Sequence, residues 1–419
     1  MTDPHAPPPP PARAAATGGT RATLPITLLI QMGASAASLA PTVAAPRLLA
    51  ELGLGTVAVG LYIAVVYLGA TISSQAGAAL IKRWGPIRTS QVCLLSCAIG
   101  LLLVSVPQVW AAALGALLIG AGYGPITPAS SEILARTTPP ERYSLVFSVK
   151  QTGVPAGGAL AGLLVPTVLL WGGSIAALGQ IAVLCIAALL LAQPLRALLD
   201  GLRDPHAPLP TLARITDPIR FVLADPVLRK LGFCSFVFSA VQVCLTSYLV
   251  SFLKADLLWT LVAAGVALSA AQVAGVVGRI AWGVVADRRR DARGTLLGLA
   301  VAMAVAAICM SLLGPNTPTA WVTALLVVFG ATAVGWNGVF LATVARVAPS
   351  SAAVATAGSL FFTYFGVVIG PPIFGAIGGQ LGALGGAYAL LALPLAWTIW
   401  VLARADWAVD GTPGRAERR

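Results

Sequence analysis

Residues 134–139 read Leu-Ala-Arg-Thr-Thr-Pro, and residues 344–349 read Val-Ala-Arg-Val-Ala-Pro, 210 positions later. A second pair follows in the same order, because Ser-Leu-Val-Phe-Ser at 144–148 returns as Ser-Leu-Phe-Phe-Thr at 359–363. The two matches have nearly the same spacing. They indicate that part of the chain is duplicated.

A third match lies earlier in each half, where the basic turn at 82–88 returns at 287–293. Three matches in one order predict two related halves, each about half of the chain. In a strongly apolar chain, duplicated halves are typical of transporters whose substrate binds near mid-membrane, at the seam between the halves. Access to that substrate then alternates as one half rocks on the other.

The composition predicts a membrane protein, because 58% of the residues are hydrophobic and only 10% are charged. A soluble domain carries about 25% charged residues. Runs of 18 or more apolar residues with few charges are typical of membrane helices. Twelve such runs begin near Ala22, Gly55, Ser90, Val109, Ser144, Gly173, Leu231, Trp259, Gly294, Thr319, Ala353 and Leu381. We therefore expect an all-α membrane protein with twelve transmembrane helices in two pseudo-symmetric six-helix bundles.

The net charge of +12 reflects topology rather than a nucleic-acid partner. With a cytoplasmic N-terminus, only Arg47 and Lys254 fall in outer loops, and Lys150 and Arg279 fall inside helices. The other 22 of the 26 basic residues lie in the tails and the cytoplasmic loops. This positive-inside asymmetry predicts cytoplasmic termini in a multi-pass plasma membrane of the bacterial inner-membrane type.

The predicted spans and the charge distribution divide the chain into five parts. A Pro- and Ala-rich cytoplasmic tail and a first six-helix bundle precede a charged cytoplasmic linker, which is followed by a second bundle and a second tail. Mixed charge in the linker is compatible with a short helix on the membrane face or with a plain tether. The predicted bounds are 1–21, 22–194, 195–230, 231–404 and 405–419.

No pattern predicts a catalytic residue, a metal site or a cofactor. There is no GxxxxGK[ST] phosphate loop, so the sequence gives no sign of an ATP-driven pump. The histidines His5 and His206 lie in predicted loops, and all six cysteines lie within predicted spans without a CxxC pair. A membrane-embedded enzyme and a signalling receptor stay as competing classes, which transport into proteoliposomes would separate from a transporter.

The basic turns carry a resemblance to a known family. The stretch Gly283-Val-Val-Ala-Asp287-Arg288, in a chain of twelve spans, resembles the signature turn of the major facilitator superfamily. Its first-half copy keeps Arg83 but has Lys82 where the family usually has Asp. In the family that Asp helps to hold the cytoplasmic side shut, so the resemblance makes Asp287 the better candidate for a cytoplasmic latch. The gating candidates are Arg83, Glu132, Arg136, Asp287 and Arg288; ordinary interfacial charge is the alternative interpretation.

Two cations lie inside predicted spans, and no Asp or Glu lies at comparable depth. Charges within the membrane are costly, so Lys150 and Arg279 are expected to face a cavity or a partner. An anionic substrate can supply that partner, and Arg279 with Gly283 resembles the eighth-helix arginine of monocarboxylate and oxalate transporters. Alternatively, Lys150 snorkels to the interface, and Arg279 pairs with backbone carbonyls or with Glu132.

Polar and aromatic residues in the helices expected to line the cavity complete the predicted binding site. They are Gln31, Tyr67, Tyr123, Gln151, Gln242, Trp336, Asn337 and Tyr364. The sequence thus predicts a secondary active transporter, working as a monomer in the lipid bilayer, for a small organic anion such as a carboxylate. The alternative within the class is an exporter of drugs or neutral metabolites.

Overall fold

The computed structural model describes residues 20–54, 57–211 and 214–404, and within these ranges the chain forms helices and connecting turns without a strand. Except for residues 20 and 21, the two predicted tails lie outside the described residues. The first half contains the helices α1 (Thr20–Val43), α2 (Ala45–Leu52), α3 (Val57–Trp84), α4 (Pro86–Val104), α5 (Val109–Tyr123), α6 (Ile126–Thr137), α7 (Tyr143–Gln151) and α8 (Gly153–Ala192).

Two short helices, α9 (Arg196–Leu199) and α10 (Asp217–Ala224), lie between the halves. The second half contains α11 (Pro226–Ala255), α12 (Leu261–Arg289), α13 (Ala292–Ser311), α14 (Thr319–Ala333), α15 (Asn337–Val347), α16 (Ala352–Leu381), α17 (Leu384–Leu390) and α18 (Ala392–Ala403). Each half has a buried apolar core, as expected for two bundles, and the core of the second half also takes in Leu134, Tyr143 and Phe147 of the first.

The helices confirm the predicted fold class. Eleven stretches of the described chain are long and apolar enough to cross a membrane, and one of them, 140–199, is 60 residues long. That stretch is divided at Gly173, whose backbone is non-helical at φ 69°. The described residues therefore hold twelve spans, six in each half.

The fourth span of each half is interrupted at the same place. α5 gives way to α6 at Gly124-Pro125, and α14 gives way to α15 around Val334. A helix interruption leaves backbone carbonyls available inside the membrane, where they can accept hydrogen bonds from side chains.

The two halves meet mainly on one side of the membrane, which we call the basic face because α3, α6, α12 and α15 end there in basic residues. α3, α6 and α7 of the first half pack there against α12, α15 and α16 of the second. The structure is thus closed at the basic face.

The described residues of the connection between the halves include two short helices and several contacts with both halves. α10 packs against α16, where the backbone of Pro218 leaves no room for a side chain at Gly358. Before it, Asp200 accepts hydrogen bonds from the N–H groups of Ile87 and Arg88 at 2.8 and 3.0 Å, and so caps the N-terminus of α4. Gly85 permits this contact, because its φ is 90° and a Cβ would overlap the Asp200 carboxylate.

Candidate functional site

Lys150 lies at the seam, one residue before α7 ends, and its side chain is 1% exposed. Its Nζ donates hydrogen bonds to Gln31 Oε1 at 2.7 Å and to Gln151 Oε1 at 3.0 Å. Lys150 therefore does not snorkel to the interface. It is held in the interior by two amide oxygens.

Gln31 connects Lys150 to the helices around it. Its Oε1 also accepts a hydrogen bond from Thr127 Oγ1 at 3.2 Å, and its Nε2 donates to Ser35 Oγ at 3.3 Å. Every polar atom of the Gln31 amide thus has a partner, and its orientation fixes the position of Lys150. The network joins α1, α6 and α7 of the first half.

Arg279 reaches the same place from α12 in the second half, and it is 4% exposed. Its Nε donates to Val334 O at 3.0 Å, in the interruption between α14 and α15, and its Nη1 donates to Gln151 O at 2.6 Å. The second bond crosses the seam. Gln151 therefore binds both cations, Lys150 through its side chain and Arg279 through its backbone.

All of these acceptors are uncharged. Among the described residues, Arg279 pairs with backbone carbonyls and not with Glu132, and its Nη2 makes no hydrogen bond. The ammonium of Lys150 likewise has one N–H group that makes no hydrogen bond to the described residues. The arrangement can therefore offer further donors to an acceptor that enters between the halves.

Three predicted tyrosines lie together beside this network. The rings of Tyr67 and Tyr364 meet edge to face across the seam with centroids 5.8 Å apart, and Tyr123 packs against the same cluster. Nearer the basic face, Gln75 Nε2 donates to Ala357 O at 2.7 Å, again across the seam. These contacts, like the one between Arg279 and Gln151, join the two halves.

The remaining predicted residues form a second cluster within the second half. Gln242 Oε1 accepts hydrogen bonds from Trp336 Nε1 at 3.0 Å and from Asn337 Nδ2 at 3.2 Å. Trp336 is 1% exposed and packs edge to face against Phe238. Since Trp336 follows Val334 by two residues, this cluster adjoins the carbonyl that holds Arg279.

At the basic face, Asp287 and Arg346 form what we call the second-half latch. The Asp287 carboxylate accepts hydrogen bonds from Ser144 N at 3.0 Å and Leu145 N at 2.8 Å, in the first turn of α7. Arg346 donates to Asp287 Oδ1 at 2.7 Å, and to Ser144 Oγ and Pro140 O at 3.0 Å each. A carboxylate at a helix N-terminus is favourable because the unpaired N–H groups and the helix dipole are positive there.

Glu132 and Arg136 form the first-half latch. Glu132 Oε2 accepts a hydrogen bond from Ala353 N at 3.0 Å, in the first turn of α16. Arg136 pairs with Glu132 one turn along the same helix. The other two gating candidates are placed differently: Arg83 Nη1 donates to Ala207 O in the linker at 2.6 Å, and Arg288 is exposed.

Several contact residues were not predicted. Arg346 could have been, because it is the repeat counterpart of Arg136 in the motif that revealed the duplication. Ser35, Thr127 and Gln75 carry no sequence signal, since single hydroxyl and amide residues in a span look like ordinary packing residues. No metal-binding group of three His, Cys, Asp or Glu residues occurs in the described part of the chain.

Comparison with known proteins agrees with this architecture. The sequence profile described as Major Facilitator Superfamily matches residues 25–371. Curated protein sequences give no match.

Solved structures match the fold at low sequence identity. The transporter FucP, in a structure of its outward conformation, is 15% identical to this chain with a TM-score of 0.70, over 92% of this chain and 99% of that chain. A second structure of FucP describes it as the E. coli fucose:proton symporter. A bacterial homologue of the iron transporter ferroportin in an outward-facing state is 15% identical with a TM-score of 0.71, over 91% and 98% of the two chains. The proton:xylose symporter XylE, bound to 6-bromo-6-deoxy-D-glucose, is 13% identical with a TM-score of 0.67, over 93% and 96%.

Proposed function

This chain belongs to the Major Facilitator Superfamily of membrane transporters, and we propose that within it the protein is a secondary transporter of a small organic anion such as a carboxylate. Transport proceeds by alternating access, with the substrate held between the two bundles. The protein acts as a monomer in the bilayer. We also propose that the basic face is cytoplasmic, as the positive-inside rule predicts for a bacterial inner membrane.

The observation that carries the anion assignment is the pair of buried cations. Lys150 and Arg279 are 1% and 4% exposed, come from opposite halves, and have only uncharged hydrogen-bond acceptors among the described residues. Burying a charge without a counter-charge is expensive. An anion that enters the seam would offset that cost and accept hydrogen bonds from the unused N–H groups of both residues.

The surroundings support a small ligand with a polar and an apolar part. The unused N–H groups of Lys150 and Arg279 suit a polar part, and Tyr67, Tyr123 and Tyr364 offer ring faces beside them. Since the contacts at the basic face are closed in this structure, the substrate would enter from the opposite, outer face.

A neutral polar substrate is the second candidate. It is favoured by the fact that Gln31, Gln151 and Val334 already satisfy part of the hydrogen-bonding capacity of both cations. On that interpretation Lys150 and Arg279 organise the seam, and the tyrosines and glutamines bind the ligand. An exporter of drugs or neutral metabolites would fit this arrangement.

The test is substrate affinity in purified full-length protein, measured by tryptophan quenching with panels of small carboxylates and neutral sugars. Arg279→Lys keeps the charge but loses the two-pronged geometry with which Arg grips a carboxylate. Because hydrogen bonds to charged groups contribute about 1.5–3 kcal/mol each, carboxylate affinity should fall roughly 10- to 100-fold. Lys150→Gln should weaken it too.

Lys254→Gln is the matched control, because Lys254 is an exposed cation at the outer end of α11. Carboxylate binding that is equal in the parent and in folded Arg279→Lys and Lys150→Gln proteins would contradict the anion assignment. Gradient-dependent uptake into proteoliposomes tests transport itself. An enzyme or a receptor would give none.

Orientation can be tested independently with single cysteines in a cysteine-free background. We choose His206→Cys and Asn316→Cys because both positions are exposed. Residue 206 lies in the linker at the basic face, and residue 316 lies at the opposite face. Neighbouring Ala207 is unsuitable because it is 2% exposed. In intact cells an impermeant thiol reagent should label Asn316→Cys and spare His206→Cys; the reverse pattern would invert the topology.

A further inference from the structure

A second cationic site lies on the basic face of the first half, and it shares no residue with the network around Lys150 and Arg279. A cavity of about 390 Å³ is lined by Arg83, Trp84, Arg88, Val92, Arg196, Arg203 and Pro205. A neighbouring cavity of about 520 Å³ shares three of these residues, Arg196, Arg203 and Pro205. Four guanidinium groups from α3, α4, α9 and the linker thus line these two neighbouring cavities, which we call together the arginine pocket.

The arginine pocket is built on a fixed framework. Asp200 is 3% exposed and binds the first N–H groups of α4, as described above. Further along the linker, Asp204 N donates to Lys82 O at 2.8 Å, and Arg83 Nη1 donates to the carbonyl of buried Ala207. The linker is therefore tied to the α3–α4 turn at three points, so the arginines it brings there keep their positions.

The pocket has a surplus of positive charge. Asp200 is the one acid among its lining residues, and both of its oxygens already accept backbone hydrogen bonds. Burial raises the pKa of the Asp200 carboxyl from its ordinary value of 3.8, against the lowering effect of those N–H groups and of Arg196 and Arg203. One carboxylate cannot balance four guanidiniums, and planar guanidiniums match the oxygens of a phosphate group.

The pocket also opens onto the surface that faces lipid. Val92, in its lining, begins an exposed apolar row along α4 that continues with Leu95, Ile99 and Leu102, each 40–48% exposed. The spacing of these residues places them on one helix face. Trp84, at the end of α3, is of the residue type enriched at membrane interfaces. The guanidinium groups of the pocket therefore lie next to an exposed apolar strip of α4.

We propose that the arginine pocket binds the phosphate of an anionic phospholipid, whose acyl chains lie along the exposed face of α4. Basic pockets beside membrane helices are a recognised way to bind such headgroups. A soluble phosphate compound shares the headgroup chemistry, but it makes no use of the apolar row that starts at Val92. Binding would tie the linker, and with it the first half, to one leaflet of the membrane.

The test is native mass spectrometry of the delipidated full-length protein with phosphatidylglycerol or phosphatidylcholine carrying the same acyl chains. The double variant Arg88→Gln, Arg203→Gln removes two exposed arginines of the pocket. The control Arg214→Gln, Arg289→Gln removes the same charge from exposed positions elsewhere on the basic face. We expect the parent and the control to retain phosphatidylglycerol, and the pocket variant to bind it at least about tenfold more weakly.

Phosphatidylcholine, which has no net charge, should bind weakly to all three proteins. Equal phosphatidylglycerol binding by the pocket variant and the control would overturn the site. Displacement of the lipid by millimolar inorganic phosphate would overturn the lipid assignment in favour of a soluble ligand. If the double variant fails to fold, Arg203→Gln alone serves, because this exposed side chain makes no hydrogen bond among the described residues; its affinity should fall a few-fold.

Discussion

The two latches at the basic face join the two halves through different residues. In each half, a carboxylate from one bundle binds the first turn of a helix in the other bundle. The second-half acid, Asp287, lies in the signature turn, whereas the first-half acid, Glu132, lies on α6. Position 82, the repeat counterpart of Asp287, is an exposed lysine. The two halves thus make the same kind of contact with acids that lie on different helices.

The latches also differ in how many hydrogen bonds cross the seam. Asp287 and Arg346 together make four such bonds, two to N–H groups of α7 and two to Ser144 Oγ and Pro140 O. Glu132 makes one, because its partner Arg136 belongs to the same helix. Charged hydrogen bonds to helix ends stabilise the closed state, so the second-half latch should hold more of that stability.

The largest effect is expected from Asp287→Asn. The amide keeps one acceptor oxygen but loses the charge that binds both α7 and Arg346. At about 1.5–3 kcal/mol per charged hydrogen bond, the population open at the basic face should rise roughly 10- to 100-fold, and transport should fall. The measurement is the distance distribution between spin labels at exposed Glu141 and Ser350, one in each half. A distance distribution that Asp287→Asn leaves unchanged would show that the second-half latch does not hold more of the closing energy than the first-half latch.

The matched arginines give an intermediate effect. Arg346→Gln removes three hydrogen bonds of a side chain that is 18% exposed, whereas Arg136→Gln removes an i,i+4 pair whose arginine is 38% exposed. Such exposed pairs contribute about 0.5 kcal/mol. The same label pair should report clear opening for Arg346→Gln and little for Arg136→Gln. Similar opening in both variants would mean that the halves share the closing energy equally.

The smallest effects concern the first half. Glu132→Gln should weaken the contact with Ala353 by about 1 kcal/mol, because the amide oxygen still accepts the N–H group. Lys82→Asn should change the distribution by less than about 0.5 kcal/mol, since its side chain is exposed. If Lys82→Asn instead opened the basic face as far as Glu132→Gln, the first-half latch would have to be assigned again to the signature turn.

Much of the fold could be predicted from the sequence because it follows from local composition. Apolar runs and charge asymmetry are properties of short segments, and twelve spans follow from them. The break at Gly173 was predicted as well, since one run was expected to begin there. The structured linker was less predictable, because the cap that Asp200 provides for α4 joins residues more than 100 positions apart.

The candidate site could be predicted in part for the same reason. Lys150 and Arg279 stood out because charges are rare in spans, and the structure brings both to Gln151. Sequence could not show that Val334 would offer its carbonyl, since any residue has one. It could not show the role of Ser35 either. Partners that use backbone atoms or common hydroxyls become visible only when the helices are packed.

Gly338, in the first turn of α15, gives the closed basic face a further property. A Cβ at this position would overlap the side chain and Cα of Ser148 of α7, so here the bare backbone of α15 lies directly against α7. The two helices can separate at this contact without a side chain leaving a pocket in the other bundle, and they can pack again in the same register. The rate of the transport cycle would then be set by how fast the hydrogen bonds of the two latches break. Gly338→Ala would add a single methyl group between α15 and α7, and that group would keep the basic face from closing.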